Sequence, residues 1–421
     1  MKIAMFTNTY LPHVGGVARS VSSFAEAYRK LGHECLVIAP EFEESIPDET
    51  NVYRVPAITN FNDSGFSFQI PFLGNVSSQL DAFEPDLIHS HHPFLLGDTA
   101  LRSAYTRNLP IVFTHHTLYE EYTNYLPFDS DFTKKAAIEL ATGYANACSM
   151  VLAPSKSVQE LIRERGVSVP VRVQPTGIDV DFFANGQGER FRQAYGIPDN
   201  APLIGHVGRI AQEKNLHYLA EAVAEALAAA PEACFALVGS GEEEEQIREL
   251  LQSKGLEKRF VPTGSLQGEE LADAYASFDL FAFASLSETQ GLVLAEAMAG
   301  GAPVIALDGP GVSDVLQHEK NGILLSQDAP QAEYTQSLVK LLSAPAKLKE
   351  YASAAQETAR QLSIQSTAAH ALELYQECIG SHESWIEGTG IENFDKVIAS
   401  LEGELQLLKV KTATVTSAIT D

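Results

Sequence analysis

The chain has 421 residues, 45% of them hydrophobic and 20% charged, with a formal net charge of −26. That length exceeds one ordinary hydrophobic core and predicts two domains in a soluble globular protein. The acidity argues against nucleic acid, whose phosphates reward basic surfaces, and gives no general attraction to an anionic membrane.

Ile3-Ala4-Met5-Phe6 is a short apolar strand that begins too early to leave room for a signal peptide. A turn-rich loop from Thr7 ends in Gly15-Gly16, and a helix is predicted from about Val17 to Leu31, with Val17, Val21, Phe24, Tyr28 and Leu31 on one face. Cys35 to Ala39 is the next strand. Strand, Gly-Gly loop, helix, strand is half of a nucleotide-type α/β domain, and the glycines would let backbone N–H groups approach a phosphate. Leu87-Ile88-His89 and Ile111-Val112-Phe113 continue the sheet, each running into histidines: His91 and His92 after the first, His115 and His116 after the second. Histidines at the C-terminal ends of parallel strands point to substrate or acid–base chemistry as readily as to structure. HExxH is absent, and no metal is expected. The Tyr-, Glu- and Asp-rich stretch from Thr117 to Asp131 suits a sugar site, a lipid site or an interfacial loop. Strands at Met150–Pro154 and Val171–Val173 finish the first half, and a linker is placed in the polar stretch from Ala184 to Asn200.

The second half starts the same way. Leu203 to Gly208 is a strand, and Arg209 to Asn215 is a polar turn expected to expose Arg209 and Lys214. Leu216 to Ala230 is a helix, Ala236-Leu237-Val238 a strand, and Gly239-Ser240-Gly241 leads into an acidic helix whose Glu242 to Glu245 suit the helix dipole. From Gln331 the chain reads as helical to Gly380. A last amphipathic helix is predicted from about Ile391 to Leu408, for core packing or a dimer contact, and a frayed tail from Thr412. The four cysteines are scattered through predicted strands and helices, which fits a reducing cytoplasm, and no run of about 18 apolar residues predicts a spanning helix.

The segment most loaded with chemistry is Ser285 to Ala306. Glu288 lies on a polar turn after the strand Leu280–Phe283, and Glu296 lies in an apolar helix ended by Gly300-Gly301. A carboxylate on a loop beyond a parallel strand, next to a helix N-terminus, is where open α/β sheets bind ligands. A charge on an apolar helix needs a partner, and a pair of sugar or ribose hydroxyls would serve. Spacing alone fits equally well a solvated Glu288 and a Glu296 held in a core ion pair.

Two α/β halves with a cationic turn and an E-x7-E element resemble the retaining glycosyltransferases of family four. The motifs are Gly15-Gly16-Val17, Thr114-x-His116, Thr176-Gly177-Ile178-Asp179, Gly208-Arg209 with Lys214-Asn215, Val238-Gly239-x-Gly241, and Glu288 with Glu296-Ala297-Met298-Ala299. The wording of His91 to Gly97, of Phe113 to Glu120 and of Glu288 to Val293 is most similar to the subgroup that glucosylates diacylglycerol. Many relatives carry an aromatic where this chain has Gln290.

The resemblance implies the GT-B architecture: two Rossmann-like α/β domains with parallel sheets facing across a cleft, here 1–185 on the acceptor side and 186–365 for the nucleotide sugar. Helices from 366 to 421 follow, the first packing back on the N-terminal domain. It implies that Arg209 and Lys214 neutralise the leaving diphosphate opposite Gly16, and that Glu296 holds the ribose. Gly291, Leu292 and Val293 would offer backbone contacts, Glu288 would touch the donor sugar, and His116 would sit by the reacting sugar. His91, His92 and Tyr119 are the acceptor-side candidates. No cofactor is implied beyond a nucleotide-diphosphate sugar as co-substrate, with UDP-glucose favoured. The acceptor is either a lipid hydroxyl, reached by peripheral membrane contact through Lys134-Lys135 and Phe66 to Phe72, or a small soluble sugar or polyol. A GT-B nucleotide-sugar epimerase and a non-catalytic sugar-nucleotide binder are the other readings.

Overall fold

The apolar runs pair in parallel, and each half of the chain builds its own sheet. The computed structural model describes residues 1–13, 15–42, 49–61, 66–69, 75–120 and 131–385. The helix expected from Ile391 and the tail from Thr412 lie outside the described residues, as do 121–130 of the tyrosine-rich stretch and 70–74.

The first unit comprises Met1–Gly177 and the chain from Ile364 onward. Its strands are β1 (Lys2–Phe6), β2 (Glu34–Pro40), β3 (Val52–Val55), β4 (Ala57–Phe61), β5 (Phe66–Gln69), β6 (Leu87–Ser90), β7 (Ile111–Thr114), β8 (Met150–Ala153) and β9 (Val171–Val173). Seven of them form a parallel sheet in the order β3-β2-β1-β6-β7-β8-β9, and β4 and β5 make a separate antiparallel pair. Helices α1 (Gly16–Lys30), α2 (Val76–Phe83), α3 (Leu96–Arg107), α4 (Asp131–Asn146) and α5 (Lys156–Glu164) connect them. Side chains alternate between the two faces of the sheet: Ala4 and Phe6 join one core, Ile3 and Met5 the other.

The second unit, Ile178–Ser363, is contiguous. Its sheet runs β12 (Phe260–Gly264), β11 (Cys234–Val238), β10 (Leu203–Val207), β13 (Leu280–Phe283), β14 (Val304–Leu307), β15 (Gly322–Leu325), all parallel. Both sheets therefore reverse direction beside their first strand, at β1/β6 and at β10/β13, the switch point where doubly wound folds bind ligands. The stretch expected as a linker, Ala184 to Asn200, instead belongs to this unit: it starts at the end of one short helix, α6 (Val180–Ala184), and contains another, α7 (Gly188–Ala194). Their polarity belongs to their exposed sides; inward, Phe183 and Phe191 are buried, and Asp273 accepts from the Gln187 backbone N–H at 2.7 Å. The remaining helices are α8 (Leu216–Ala229), α9 (Glu244–Ser253), α10 (Gly268–Ser277), α11 (Leu292–Ala299), α12 (Gln331–Leu342) and α13 (Pro345–Gln361).

Helix α14 (Ile364–Gly380) returns to the first unit. Its Ala368, Ala371, Leu372, Tyr375 and Cys378 join Val21, Phe24 and Tyr28 of α1 in one buried cluster. The hydroxyls of Tyr28 and Tyr375 lie 3.0 Å apart, and Tyr375 reaches Nδ1 of His89 at 2.6 Å. Beyond α14, Trp385 stacks on Tyr105 at 4.3 Å and donates to the Leu109 carbonyl at 2.9 Å. Tyr375→Phe removes a hydroxyl with two buried partners, and a loss of about 2 kcal/mol is expected by denaturant titration. Among the described residues no helix is long and apolar enough to cross a membrane.

Candidate active site

The second unit's switch point gathers four loops. After β10, Gly208 leads through Arg209 into a single turn of 3-10 helix at Gln212–Lys214, and Asn215, in the left-handed region at φ 54°, starts α8. Asn215 ties this loop to its neighbour by donating to the Ala284 carbonyl at 3.3 Å. After β13 comes the loop with Glu288. Lys214 Nζ lies 2.5 Å from Glu288 Oε1, with only 15% and 19% of the two side chains exposed. The expectation that Lys214 stands exposed is thus corrected: the β10/β13 register brings the two loops side by side, and an ammonium here meets a carboxylate. Arg209, 43% exposed, pairs with Glu213.

After β11, Gly239 and Gly241 are required by close approach. A Cβ on Gly239 would stand 1.8 Å from the Gly208 carbonyl oxygen, and one on Gly241 2.1 Å from that of Ile210. The β11 loop therefore lies directly on the β10 loop, and the Ser240 and Ser265 hydroxyls meet at 2.7 Å beside it. Gly291, at φ 71°, opens α11, so the backbone N–H groups of half-buried Leu292 and Val293 fall in a first helical turn, where intrahelical partners are lacking. Within α11, Glu296 is 2% exposed and accepts from the Tyr275 hydroxyl at 2.7 Å. Its helix is apolar all round because α11 is packed into the core, with Leu294, Ala295, Ala297, Met298 and Ala299 all buried.

The first unit's switch point is tied together by Asn8. Its backbone N–H donates to His92 Nδ1 at 3.1 Å, its side chain donates to the Phe94 carbonyl at 3.0 Å, and its Oδ1 accepts from Leu96 N at 3.1 Å. Gly16 begins α1 in open space: a Cβ there would meet nothing described within 4 Å. His91 and His92 are buried, whereas His116 and Tyr119 are half-buried. His91 Nδ1 lies 2.8 Å from His116 Nε2. Burial, reinforced by the neighbouring imidazoles, holds both rings well below the usual histidine range, and burial takes His92 down to about 3. These imidazoles are neutral at pH 7.

Arg209, Lys214, Glu288, Gly291, Leu292, Val293 and Glu296 share the second unit's switch point, Gly16, His91 and His92 lie at the first's, and His116 and Tyr119 follow the neighbouring strand β7. Sequence reasoning passed over Asn8, Tyr275 and His206. His206 is fully buried, lies 3.0 Å through Nδ1 from the Ala282 carbonyl, and is pushed down to about 4 by burial, the Lys214 and Glu288 charges acting on it more weakly. A polar side chain inside an apolar strand was the available signal for it. Among the described residues no group of three or more His, Cys, Asp and Glu side chains is disposed to hold a metal ion.

The Glycosyltransferase Family 4 model matches residues 14–182, and the Glycosyl transferases group 1 model matches residues 187–359. An alpha-monoglucosyldiacylglycerol synthase from Streptococcus pneumoniae is 28% identical over 330 residues, 77% of this chain and 75% of the relative. A GDP-mannose-dependent alpha-mannosyltransferase from Mycobacterium tuberculosis is 31% identical over 332 residues, 77% of this chain and 84% of the relative. The crystal structure of Anabaena HepE in complex with UDP-glucose superposes with a TM-score of 0.71 at 22% identity, covering 90% of this chain and 100% of that one. That likeness is one of fold, the pair of Rossmann-like domains of the GT-B glycosyltransferases.

Proposed function

This chain belongs to the family 4, group 1 glycosyltransferases, and we propose that it moves a hexose, glucose favoured, from a nucleoside-diphosphate sugar to a lipid hydroxyl of the diacylglycerol class, keeping the α configuration. The observation that carries the reading is the Lys214–Glu288 couple at the second unit's switch point, with Arg209 on the same loop. Breaking a sugar–phosphate bond leaves charge on the diphosphate, and two fixed cations stabilise it without a metal.

In the proposed step the bond from the sugar's anomeric carbon to the phosphate oxygen breaks. The acceptor oxygen bonds to that carbon on the same face, and the acceptor proton passes to a phosphate oxygen of the leaving diphosphate. Arg209 and Lys214 neutralise that diphosphate, the first-turn N–H groups of Leu292 and Val293 hold phosphate and sugar oxygens next to Gly291, and Glu288 accepts from a donor-sugar hydroxyl. Glu296 takes the ribose hydroxyls. From the first unit, Gly16 leaves room for a phosphate, His116 contacts a substrate hydroxyl, and Tyr119 and the His91-His92 turn stand on the acceptor side. The lipid acceptor is supported by the diacylglycerol synthase relatives, and with it goes a peripheral contact at the inner face of the membrane. A second reading, mannosyl transfer from GDP-mannose, is favoured by the 31% identical mannosyltransferase.

The test is nucleoside diphosphate release by purified protein given UDP-glucose, UDP-galactose or GDP-mannose, with and without diacylglycerol vesicles. Release from UDP-glucose that requires vesicles is expected. Release from GDP-mannose instead selects the second reading, release indifferent to lipid moves the acceptor to a soluble sugar or polyol, and no release with any donor overturns transfer.

A further inference from the structure

We infer that His206 is a positioning residue of the second unit: its imidazole is wedged between β10 and β13, holds the switch point open and packs under the Gly208-Arg209 turn. The inference rests on the reading of Arg209 and Lys214 as the cations that meet the diphosphate.

Strands β10 and β13 pair only at Ile204–Leu280 and Gly205–Phe281. Each goes on pairing with its outer neighbour, β10 with β11 as far as Val207 and β13 with β14 as far as Phe283. The two central strands therefore part before either ends, and His206 is the first residue of β10 past the parting. Its Nδ1 lies 3.0 Å from the carbonyl oxygen of Ala282, the residue that the parallel register would set opposite it. A side chain thus takes the place of the backbone ladder and spans a wider gap than a single N–H···O bond could. Phe281 and Phe283 hold the ring plane, each with its centroid 6.0 Å away and its ring nearly parallel, at 8° and 18°.

A carbonyl oxygen only accepts, so Nδ1 carries the proton. His206 is fully buried, and burial pushes it down to about 4, so the ring is neutral and Nε2 is a bare lone pair. Nε2 has no hydrogen-bond partner among the described residues, and it lies against the turn: a Cβ built on Gly208 would stand 3.3 Å from it. The charged groups that act on the ring are Lys214 and Glu288. A neutral wedge adds no charge beside that couple. An apolar wedge would leave the Ala282 carbonyl without its donor, an unmade hydrogen bond in a buried place that the strands could relieve only by closing the gap.

The test compares two substitutions of one shape. His206→Asn keeps an N–H where Nδ1–H stood, and His206→Leu puts a methyl group there; both remove the same outer ring atoms, so the donor is what differs. Turnover is expected within about threefold of the parent for Asn and roughly tenfold lower for Leu, the cost of a small misplacement of the turn. The loss should fall on kcat more than on donor KM, because the cations act on charge that develops as the bond breaks. Affinity for UDP, which carries that charge in full, should fall with kcat in isothermal titration. Nitrogen-15 NMR of the full-chain parent should show His206 neutral and protonated on Nδ1, a readout that needs no variant to fold. Parent protein with the His206 proton on Nε2, or Asn and Leu variants of equal kcat and equal UDP affinity, would overturn the assignment. A parent that binds UDP yet releases none from a nucleotide sugar would instead remove the transferase reading, and the UDP affinities of the two variants would still decide the role of His206.

Discussion

Lys214→Ala is expected to lower kcat for sugar release by roughly 10²–10³-fold, the range seen when one fixed donor to a developing anion is removed. Two effects are combined in that loss. The ammonium no longer neutralises the leaving diphosphate, and Glu288, 19% exposed and 2.5 Å from the missing Nζ, becomes an unpaired carboxylate facing an anionic ligand. Lys214→Ala/Glu288→Gln separates them. If the unpaired carboxylate is responsible, the double variant is no slower than Glu288→Gln alone, which loses only the sugar contact; if the ammonium acts on the diphosphate, it is far slower than Glu288→Gln. Because the pair is only partly shielded from water, the single substitution should cost about 1 kcal/mol of stability, far too little to account for the lost turnover. A folded variant with parental kinetics would remove Lys214 from the chemistry.

Glu296→Ala is expected to raise the KM for the nucleotide sugar by about 100-fold and to change kcat much less, because ribose binding is common to ground and transition states. Hydrogen bonds to a buried charged group contribute about 1.5–3 kcal/mol each, and one or two of them would be lost. Tyr275→Phe serves as the control. It removes the hydroxyl that orients the Glu296 carboxylate at 2.7 Å but leaves the charge, so its effect on KM should be several-fold smaller. Isothermal titration with the nucleoside diphosphate reads both variants without turnover, and equal affinity for Glu296→Ala and the parent would refute the ribose assignment.

The fold was legible where side-chain pattern is local. Ile3 to Phe6 and Leu280 to Phe283 are short apolar runs that only a strand buried on both faces explains, and each is one. The helix of Val21, Phe24 and Tyr28 came from its 3.6-residue period; the structure adds Gly16 at its start and ends it at Lys30, leaving Leu31, expected on the inward face, as an exposed cap. Pairings made by topology were not legible. Lys214 and Glu288 are 74 residues apart, and nothing near either says that neighbouring loops will join them. The hydroxyl that meets Glu296 sits on α10, in a helix that reads as ordinary core. The polar run at 184–200 misled because Glu189, Arg190 and Gln193 mark the exposed side of a short helix as readily as a linker, while Phe183 and Phe191 carried the contrary signal.

The return of α14 has a consequence for how the chain is made. The first unit's sheet is encoded before Gly177, but the helix that covers Val21, Phe24 and Tyr28 comes only after the whole second unit has left the ribosome. The second unit is contiguous and has every strand of its sheet by Leu325. Domains ordinarily fold in the order of their synthesis, at roughly 5–20 residues per second. Here the later-encoded unit can finish first, and the amino-terminal one waits on the order of ten seconds or more with an apolar face uncovered, until Tyr375 arrives to close it.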